Sequence, residues 1–410
     1  MPAAKSAAAL ARVAAKAIDD CGGATARCGS AVRRGVASLL RAPKSRRRAL
    51  SRVLASLARL LQKARTTSAA SARERTNRGD RQMSKASNRW ALVLAAGSGT
   101  RLSSLTTDGT GESVPKQFCS LNGGSSLLEE ALERVAGLVA PAQTIVIVAE
   151  EHRRHWQHAF ENLPPQNVIV QPRNRGTANG ILLGVSAILE RDPGALVAIV
   201  PSDHYVARED VLARALDRAL TAVGAERAAS VGFLGFEPES ADPELGYIVR
   251  GEPLGDGSCA VARFVEKPPR ADAAKLLKRR ALWNSFILVA RAAALVELVA
   301  LRYAAEVAAF RKVWCRESAE REPIAQQLAR LYETLPELDF SRHVVQDTSA
   351  PLHVVPVPAC GWSDLGTPQR VAECLGRLGA PPPRRGAWAP HFNLAEAYWR
   401  SSSAASAQTA

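Results

Sequence analysis

Residues 90–102 read Trp-Ala-Leu-Val-Leu-Ala-Ala-Gly-Ser-Gly-Thr-Arg-Leu, an apolar run that passes directly into a glycine-rich turn. The apolar residues 90–95 read as a buried strand. In Gly97-Ser98-Gly99-Thr100-Arg101 the glycines let backbone N–H groups converge on phosphate oxygens, and the planar guanidinium of Arg101 adds charge for the same anion. The turn is not the dinucleotide pattern, because Leu102 stands where the third glycine would be, nor a Walker loop, because no Lys-Ser/Thr follows. Taken alone it is explained equally well as an ordinary glycine turn after a strand.

Downstream, the apolar runs at 144–149, 168–171, 196–201 and 230–234 read as further strands. Between them, Leu127, Leu128, Ala131, Val135 and Leu138 form one helical stripe, and Ile181, Leu182, Val185, Ile188 and Leu189 form another. Strands alternating with such helices predict a three-layer α/β domain. Later runs at 246–250, 260–266, 286–290 and 353–357 predict a mixed sheet extension that carries a second substrate. No internal repeat is visible. The Pro-rich segment after Gly379 and the Ser/Ala-rich end predict a flexible tail over 379–410, leaving 89–378 as the folded domain.

The net charge of +15 invites a nucleic-acid reading, but its distribution decides otherwise. Residues 1–88 hold 20 Lys+Arg against 4 Asp+Glu, leaving 34 basic and 35 acidic residues for 89–410. The basic stretch is rich in Ala, Arg and Ser, with one amphipathic pattern through Leu50, Val53, Leu54, Leu57 and Leu61. A basic arm, a targeting segment and an extended gene start compete for it. The last is favoured, because the only methionines are Met1 and Met83, and Met83 stands just ahead of the first strand; otherwise the stretch is expected to be disordered. Nucleic acid is therefore disfavoured as a partner. Seven widely spaced cysteines without a Cys-x-x-Cys pair argue for reduced thiols rather than disulfides or zinc. No apolar run reaches the roughly 18 residues of a membrane span and no secretory signal is visible, so a cytoplasmic protein with no membrane partner is expected.

After a polar stretch comes Val114-Pro115-Lys116-Gln117-Phe118, where a lysine fixed behind a proline can reach a triphosphate from the other side. With it the chain resembles the sugar-phosphate nucleotidyltransferases, in particular the branch of mannose-1-phosphate guanylyltransferases, marked by a Gly-x-Gly-x-Arg-Leu loop followed by Pro-Lys-Gln-Phe. The likeness continues through 171–178 (Gln-Pro-Arg-Asn-Arg-Gly-Thr-Ala), Pro201-Ser202-Asp203-His204, Phe264-Val265-Glu266-Lys267-Pro268, Leu282-Trp283-Asn284-Ser285 and 361–366 (Gly-Trp-Ser-Asp-Leu-Gly). Motif order and spacing make it specific where any single motif would be weak.

The resemblance implies a Rossmann-like nucleotidyltransferase domain with a sheet extension for the sugar phosphate. It implies an enzyme that transfers a nucleotidyl group, GMP from GTP, to mannose 1-phosphate with release of pyrophosphate. Another triphosphate or hexose 1-phosphate on the same scaffold, or a non-catalytic NDP-sugar-binding regulator, are the alternatives. The partners implied are a nucleoside triphosphate and a sugar 1-phosphate, with self-association into a homo-oligomer left open. Nucleotide binding falls to Leu94, Ala95, Ala96, Gly97, Ser98, Gly99, Thr100, Gln171, Gly176 and Thr177, while Arg101, Lys116 and Lys267 act on the phosphates. Glu266 and Asn284 would meet the sugar hydroxyls, with Gly246 allowing close backbone approach. Asp364 would be one ligand of Mg2+.

Elementary chemistry asks for the same kinds of group. Two anions must approach each other, so positive charge has to offset their repulsion, whereas no base is needed because the attacking phosphate is already ionised. Asp203 ends a buried apolar strand, where a lone carboxylate is costly unless it binds a cation, so it is the other Mg2+ ligand. Lys267, followed by Pro268-Pro269, is expected in an extended backbone aimed at the sugar phosphate. Arg173 and Arg175 read as a polar loop before a helix. His152, His155 and His158 read as a solvated face, and His204 either tunes the metal site or makes a structural hydrogen bond.

Ala96 stands where the family usually has a glycine, Ser104 replaces a common proline, and 106–113 lengthens the loop before Pro115. A nucleotide contacts backbone there, so an alanine is tolerated while its φ stays negative. Neither a cupin-like half nor hexapeptide repeats follow, and a single activity is expected. Mass analysis of the natively expressed protein is expected to find its N-terminus at Met83; a mass that includes residues 1–82 would overturn the shorter start.

Overall fold

Strand β1 (Arg89–Ala95) faces two cores at once. Trp90 and Leu92 point into one apolar cluster while Ala91, Val93 and Ala95 point into another, the period of two expected of a strand buried on both sides. Its neighbours β3 (Thr144–Ala149) and β5 (Leu196–Pro201) alternate in the same way, and Leu92 lies in register between Ile145 and Ile199. The computed structural model describes residues 88–107, 111–225, 231–315, 322–379 and 391–408. The basic stretch with its leucine pattern and Met83 lies outside the described residues, which all belong to the compact unit Ala86–Ala410.

The remaining strands are β2 (Cys119–Ser120), β4 (Val168–Gln171), β6 (Val231–Phe236), β7 (Tyr247–Pro253), β8 (Cys259–Val265), β9 (Leu282–Arg291), β10 (Leu352–Val357) and β11 (Phe392–Asn393). Nine of them form one sheet in the order β4-β3-β1-β5-β9-β6-β10-β8-β7. Strands β4, β3, β1 and β5 are mutually parallel, so their carboxyl ends open on the same edge. Helices α1 (Leu127–Ala136), α2 (Thr177–Arg191), α3 (Glu209–Ala225), α4 (Arg270–Lys278), α5 (Ala292–Trp314), α6 (Ile324–Thr334), α7 (Pro368–Leu378) and α8 (Leu394–Gln408) complete the chain.

One face of the sheet is covered by α2, α5 and α6 through residues such as Ile181, Val185, Leu295, Val299 and Tyr332. The other is covered by α1, α3 and α4 through Ala131, Leu212, Leu216 and Leu276. This is the three-layer arrangement expected. Helix α1 begins in a capping box: Glu129 N–H donates to Ser126 Oγ at 3.2 Å, and Ser126 N–H donates to Glu129 Oε2 at 2.7 Å.

The expected mixed sheet extension is present, and the expectation of a loose tail is corrected. The mixed strands continue the parallel part without a break: β9 inserts between β5 and β6, antiparallel to both, so domain and extension share one continuous sheet. Strand β9 has buried residues on both faces, including Leu288 and Val289, and only an interior position covers both. The segment 391–408 is not a loose end. Strand β11 pairs in parallel with β2, and Leu394 and Ala395 are buried in a third cluster with Leu102, Leu121 and Leu365. No helix among the described residues is long and apolar enough to cross a membrane.

Helix α2 lies close on β1 because Gly184 has no side chain: a Cβ there would sit 2.4 Å from Leu92 Cδ1. Gly184→Ala is expected to cost about 1–3 kcal/mol by overpacking. The check is urea unfolding, in which the midpoint should fall with an unchanged slope.

Candidate active site

The glycine turn sits at the carboxyl end of β1, with Gly99 in the left-handed region at φ 61° and a short 3-10 helix over Thr100–Leu102. Its shape is held from below by Gln117, whose Nε2 donates to Ala95 O at 3.0 Å and to Gly97 O at 2.8 Å. A Cβ on Gly99 would come within 3.2 Å of the Lys116 backbone nitrogen, so turn and lysine are packed together. Ala96 keeps a negative φ, as the substitution of a glycine there requires.

Lys116 is 4% exposed, and its ammonium has two partners. Nζ lies 2.8 Å from Asp203 Oδ2 and donates to the backbone O of Asp364 at 2.6 Å. The loops bearing these aspartates are themselves joined by a two-way bridge, Tyr205 N–H to Ser363 O and Ser363 N–H to Tyr205 O, each 2.9 Å. Burial pushes the Asp203 carboxyl up, but Lys116, His204 and Arg101 outweigh it and leave its pKa below the ordinary value. Asp364 behaves alike: burial raises it, while Arg370, Lys116, His204 and Arg101 bring it below normal. Both are ionised at neutral pH.

His204 is buried, and burial brings its pKa down to about 4 despite the opposing pull of Asp203. The ring is neutral. Trp362 Nε1 donates to Nδ1 at 3.3 Å, which places the proton on Nε2, 3.7 Å from Asp203 Oδ1. Of the two roles weighed for this histidine, the structural hydrogen bond is present.

Asp203 Oδ2 meets Lys116 and Asp364 Oδ1 meets Arg370, while Asp203 Oδ1 lies 3.7 Å from His204 Nε2 and Asp364 Oδ2 lies 3.7 Å from Arg101 NH2. Among the described residues no group of three or more His, Cys, Asp or Glu could hold a metal. Two ionised carboxylates, each with an oxygen to spare, fit a hard divalent cation that takes its other ligands from phosphate oxygens and water.

A second cluster stands on the strands that continue the sheet. A Cβ on Gly246 would lie 2.6 Å from Glu266 Oε2 and 3.2 Å from Asn284 Cβ, so the three residues expected at the sugar meet in one place. Asn284 N–H donates to Gly246 O at 2.8 Å, and Asn284 Nδ2 donates to Ser341 Oγ at 3.3 Å. Glu266 Oε2 is buried without a hydrogen-bond partner. Burial, reinforced by Asp339, raises this carboxyl to about 7 against Lys267 and Arg342. Lys267 itself is exposed and has φ +44°, not the extended backbone expected from the prolines that follow it. A non-glycine residue held at positive φ is a strained position of the kind that often lies near functional clusters.

Gln171, Gly176 and Thr177 lie at the entry to α2, and the structure gives each an internal partner. Gln171 Nε2 donates to Arg173 O at 2.7 Å. Gly176 has φ +83° and leaves room for the Leu338 carbonyl, 2.3 Å from where its Cβ would be. Thr177 Oγ1 accepts from Phe340 N–H at 2.8 Å. Arg175 Nε donates to Tyr332 O at 3.0 Å, a structural role like the polar loop expected. The histidine reading needs correction: His152 is buried at 8% exposed, because the single turns after β3 fold it against Phe118.

Sequence reasoning missed Arg370, Asp242 and Glu244. Arg370 on α7 clasps Asp364 and, at 2.5 Å, Asp242, and it stacks over Trp283 at 5.3 Å. Glu244 Oε2 lies 3.6 Å from Arg101 NH1, whose NH2 is 3.7 Å from Asp364 Oδ2. The one available signal was the placement of an arginine shortly after Asp364, in the first turn of the helix that follows it.

The profile of the family described as Nucleotidyl transferase matches residues 90–376, the stretch that supplies every side chain above. The chain belongs to that family. Similar curated proteins include xanthan biosynthesis protein XanB from Xanthomonas campestris pv. campestris, 32% identical over 279 residues, covering 67% of this chain and 57% of that protein. Mannose-1-phosphate guanylyltransferase 2 from Escherichia coli O157:H7 is 31% identical over 298 residues, covering 68% of this chain and 58% of the relative. The chain thus spans little more than half the length of these curated relatives. A crystal structure described as mannose-1-phosphate geranyltransferase from Thermus thermophilus is similar at TM-score 0.56 and 28% identity, over 68% of this chain and 76% of that one.

For this member of the family the raised Glu266 carboxyl has a measurable consequence. Its folded pKa of about 7 exceeds the ordinary 4.5, so the folded state binds more protons across that interval and stability falls as pH rises through it. Glu266→Gln is expected to stabilise the protein at pH 8 and to do so less at pH 5. Equal shifts of the urea midpoint at the two pH values would show that the carboxyl titrates normally.

Proposed function

We propose that the protein transfers the guanylyl group of GTP to mannose 1-phosphate, forming GDP-mannose and releasing pyrophosphate. The observation that carries the reading is the contact of one buried ammonium, Lys116, with both Asp203 and the Asp364 backbone directly beside the Gly97–Arg101 turn. The choice of guanine and mannose rests on the likeness to relatives that bear those names.

The triphosphate lies along the backbone of Gly97, Ser98, Gly99 and Thr100, with Arg101 and Lys116 offsetting its charge, and Leu94, Ala95 and Ala96 form the floor. Gln171 with Gly176 and Thr177 bounds the base. The sugar 1-phosphate takes its hydroxyls to Glu266 and Asn284, its ring over Gly246 and its phosphate to Lys267. A phosphate oxygen of the sugar attacks the α-phosphorus, the bond to the β-phosphate oxygen breaks, and pyrophosphate leaves with that electron pair. The nucleophile is already ionised, so catalysis is positioning and charge compensation, and no side chain need take a proton. Asp203 and Asp364 would hold a divalent cation, magnesium, which when bound polarises the phosphoryl oxygens and screens the two anions from each other. Retention of Arg101, Lys116, Asp203, Lys267 and Asp364 together argues against a silent NDP-sugar-binding regulator.

The test is pyrophosphate release from GTP, ATP, UTP, CTP and dTTP, each with mannose 1-phosphate or glucose 1-phosphate. GTP with mannose 1-phosphate is expected to give the highest kcat/KM. No pyrophosphate from any pair would sink the enzymatic reading, and a different best pair would sink the named substrates. Lys116→Met is expected to lower kcat/KM by about 10²–10³-fold, the cost of losing one preorganised cation at developing charge, with an unchanged near-UV spectrum showing that the fold persists.

A further inference from the structure

Outside the groups that would touch substrate, one buried cation has an arrangement that neither packing nor catalysis as described requires. Arg370 is only 11% exposed at its side chain, and its fork divides between two carboxylates on separate segments: NH1 to Asp364 Oδ1 and NH2 to Asp242 Oδ2 at 2.5 Å. Its flat face lies 5.3 Å over the Trp283 ring. Trp283 belongs to β9 next to Asn284 and pairs with Tyr247 across the sheet, and Tyr247 follows Gly246. Asp242 is fixed in turn, since its N–H donates to Tyr247 Oη at 2.8 Å and that hydroxyl donates back to Asp242 O at 3.0 Å. Asp242 Oδ1 also accepts from Glu244 N–H at 2.7 Å, and Glu244 reaches Arg101. A closed circuit results, running from Asp364 through Arg370, Asp242, Glu244 and Arg101 back to Asp364.

We propose that Arg370 is a positioning residue that locks Asp364 and the loop 242–246 into one unit, so that the sugar shelf at Gly246 is held in register with the triphosphate side. The inference rests on the function proposed above. Two features make it specific. The planar guanidinium reaches two carboxylates on separate segments from different nitrogens while lying flat over a ring, a fixed fork geometry that a lysine's compact ammonium does not reproduce. Asp242 and Arg370 lie 128 residues apart, so no local folding preference accounts for their pairing.

The experiment compares wild type, Arg370→Lys, Arg370→Met, Asp242→Asn and the Arg370→Met/Asp242→Asn double variant. It measures kcat, both KM values, binding of mannose 1-phosphate alone by calorimetry, and thermal midpoint. Arg370→Met is expected to raise the KM and the dissociation constant for mannose 1-phosphate about tenfold and to lower kcat, while the KM for GTP changes less than twofold. Arg370→Lys should recover the thermal midpoint but not the sugar affinity. Asp242→Asn should weaken sugar binding as well, yet add nothing in the Arg370→Met background, as members of one linkage do. Additive effects of the two substitutions, full rescue by lysine, or equal changes in both KM values would overturn the proposal. Should Arg370→Met fail to fold, the lysine and Asp242→Asn variants still decide it through calorimetry. A wild type that binds mannose 1-phosphate but releases no pyrophosphate would count against the proposed reaction and leave the linkage testable by binding.

Discussion

A single buried ammonium organises this molecule. Lys116 touches Asp203, which follows β5, and the backbone of Asp364, which lies after β10, and it packs beside the glycine turn that ends β1. Removing such a charge from water is expensive, and the cost is recovered only with complementary partners at close range. The partners are the Asp203 carboxylate and the Asp364 backbone carbonyl, and the same ammonium lowers the pKa of both aspartates. The lysine therefore holds the site together and sets its charge state. Three loops from distant parts of the sequence are fixed by it, which explains how an open edge of parallel strands becomes a defined cleft.

The parallel half of the sheet was legible because its strands are continuous apolar runs ended by turn residues, and 144–149, 168–171 and 196–201 fold over the ranges read from sequence. Strand β9 was not placed, because which neighbour an apolar strand pairs with is decided by contacts far away in sequence. Gly246, Glu266 and Asn284 were named together and stand together; Glu266 and Asn284 were found through the motifs at 264–268 and 282–285, while Gly246 was named for the close approach that its missing side chain allows. Arg370 escaped notice because an arginine on an amphipathic helix looks like any solvated residue until its partners are known. Gly176 was selected correctly as special, but for a nucleotide, whereas the visible demand on it comes from the Leu338 backbone. The backbone of Lys267 also departed from the local rule, as strained positions near functional clusters often do.

The cleft also separates two electrostatic tasks. Beside the glycine turn carboxylates are held ionised by cations, with pKa values depressed at Asp203 and Asp364. At Gly246 and Asn284, by contrast, burial and Asp339 push Glu266 up to about 7 against Lys267 and Arg342. In the proposed reaction the first would meet charge and the second hydroxyl groups, and the loop before Gly246 joins them through Asp242 and Arg370.

The pairing of β11 with β2 bears on how the protein is made. Cys119 and Ser120, directly after the Pro-Lys-Gln-Phe core, wait for Phe392 and Asn393, and Lys116 waits 248 residues for Asp364. At ribosomal speeds of about 5–20 residues per second, that interval lasts on the order of tens of seconds. During it the β1 edge is synthesised but its lysine lacks half its partners. The nascent chain therefore carries an incomplete Lys116 site until Asp364 has been made, and no partial chain that ends before that residue can close it.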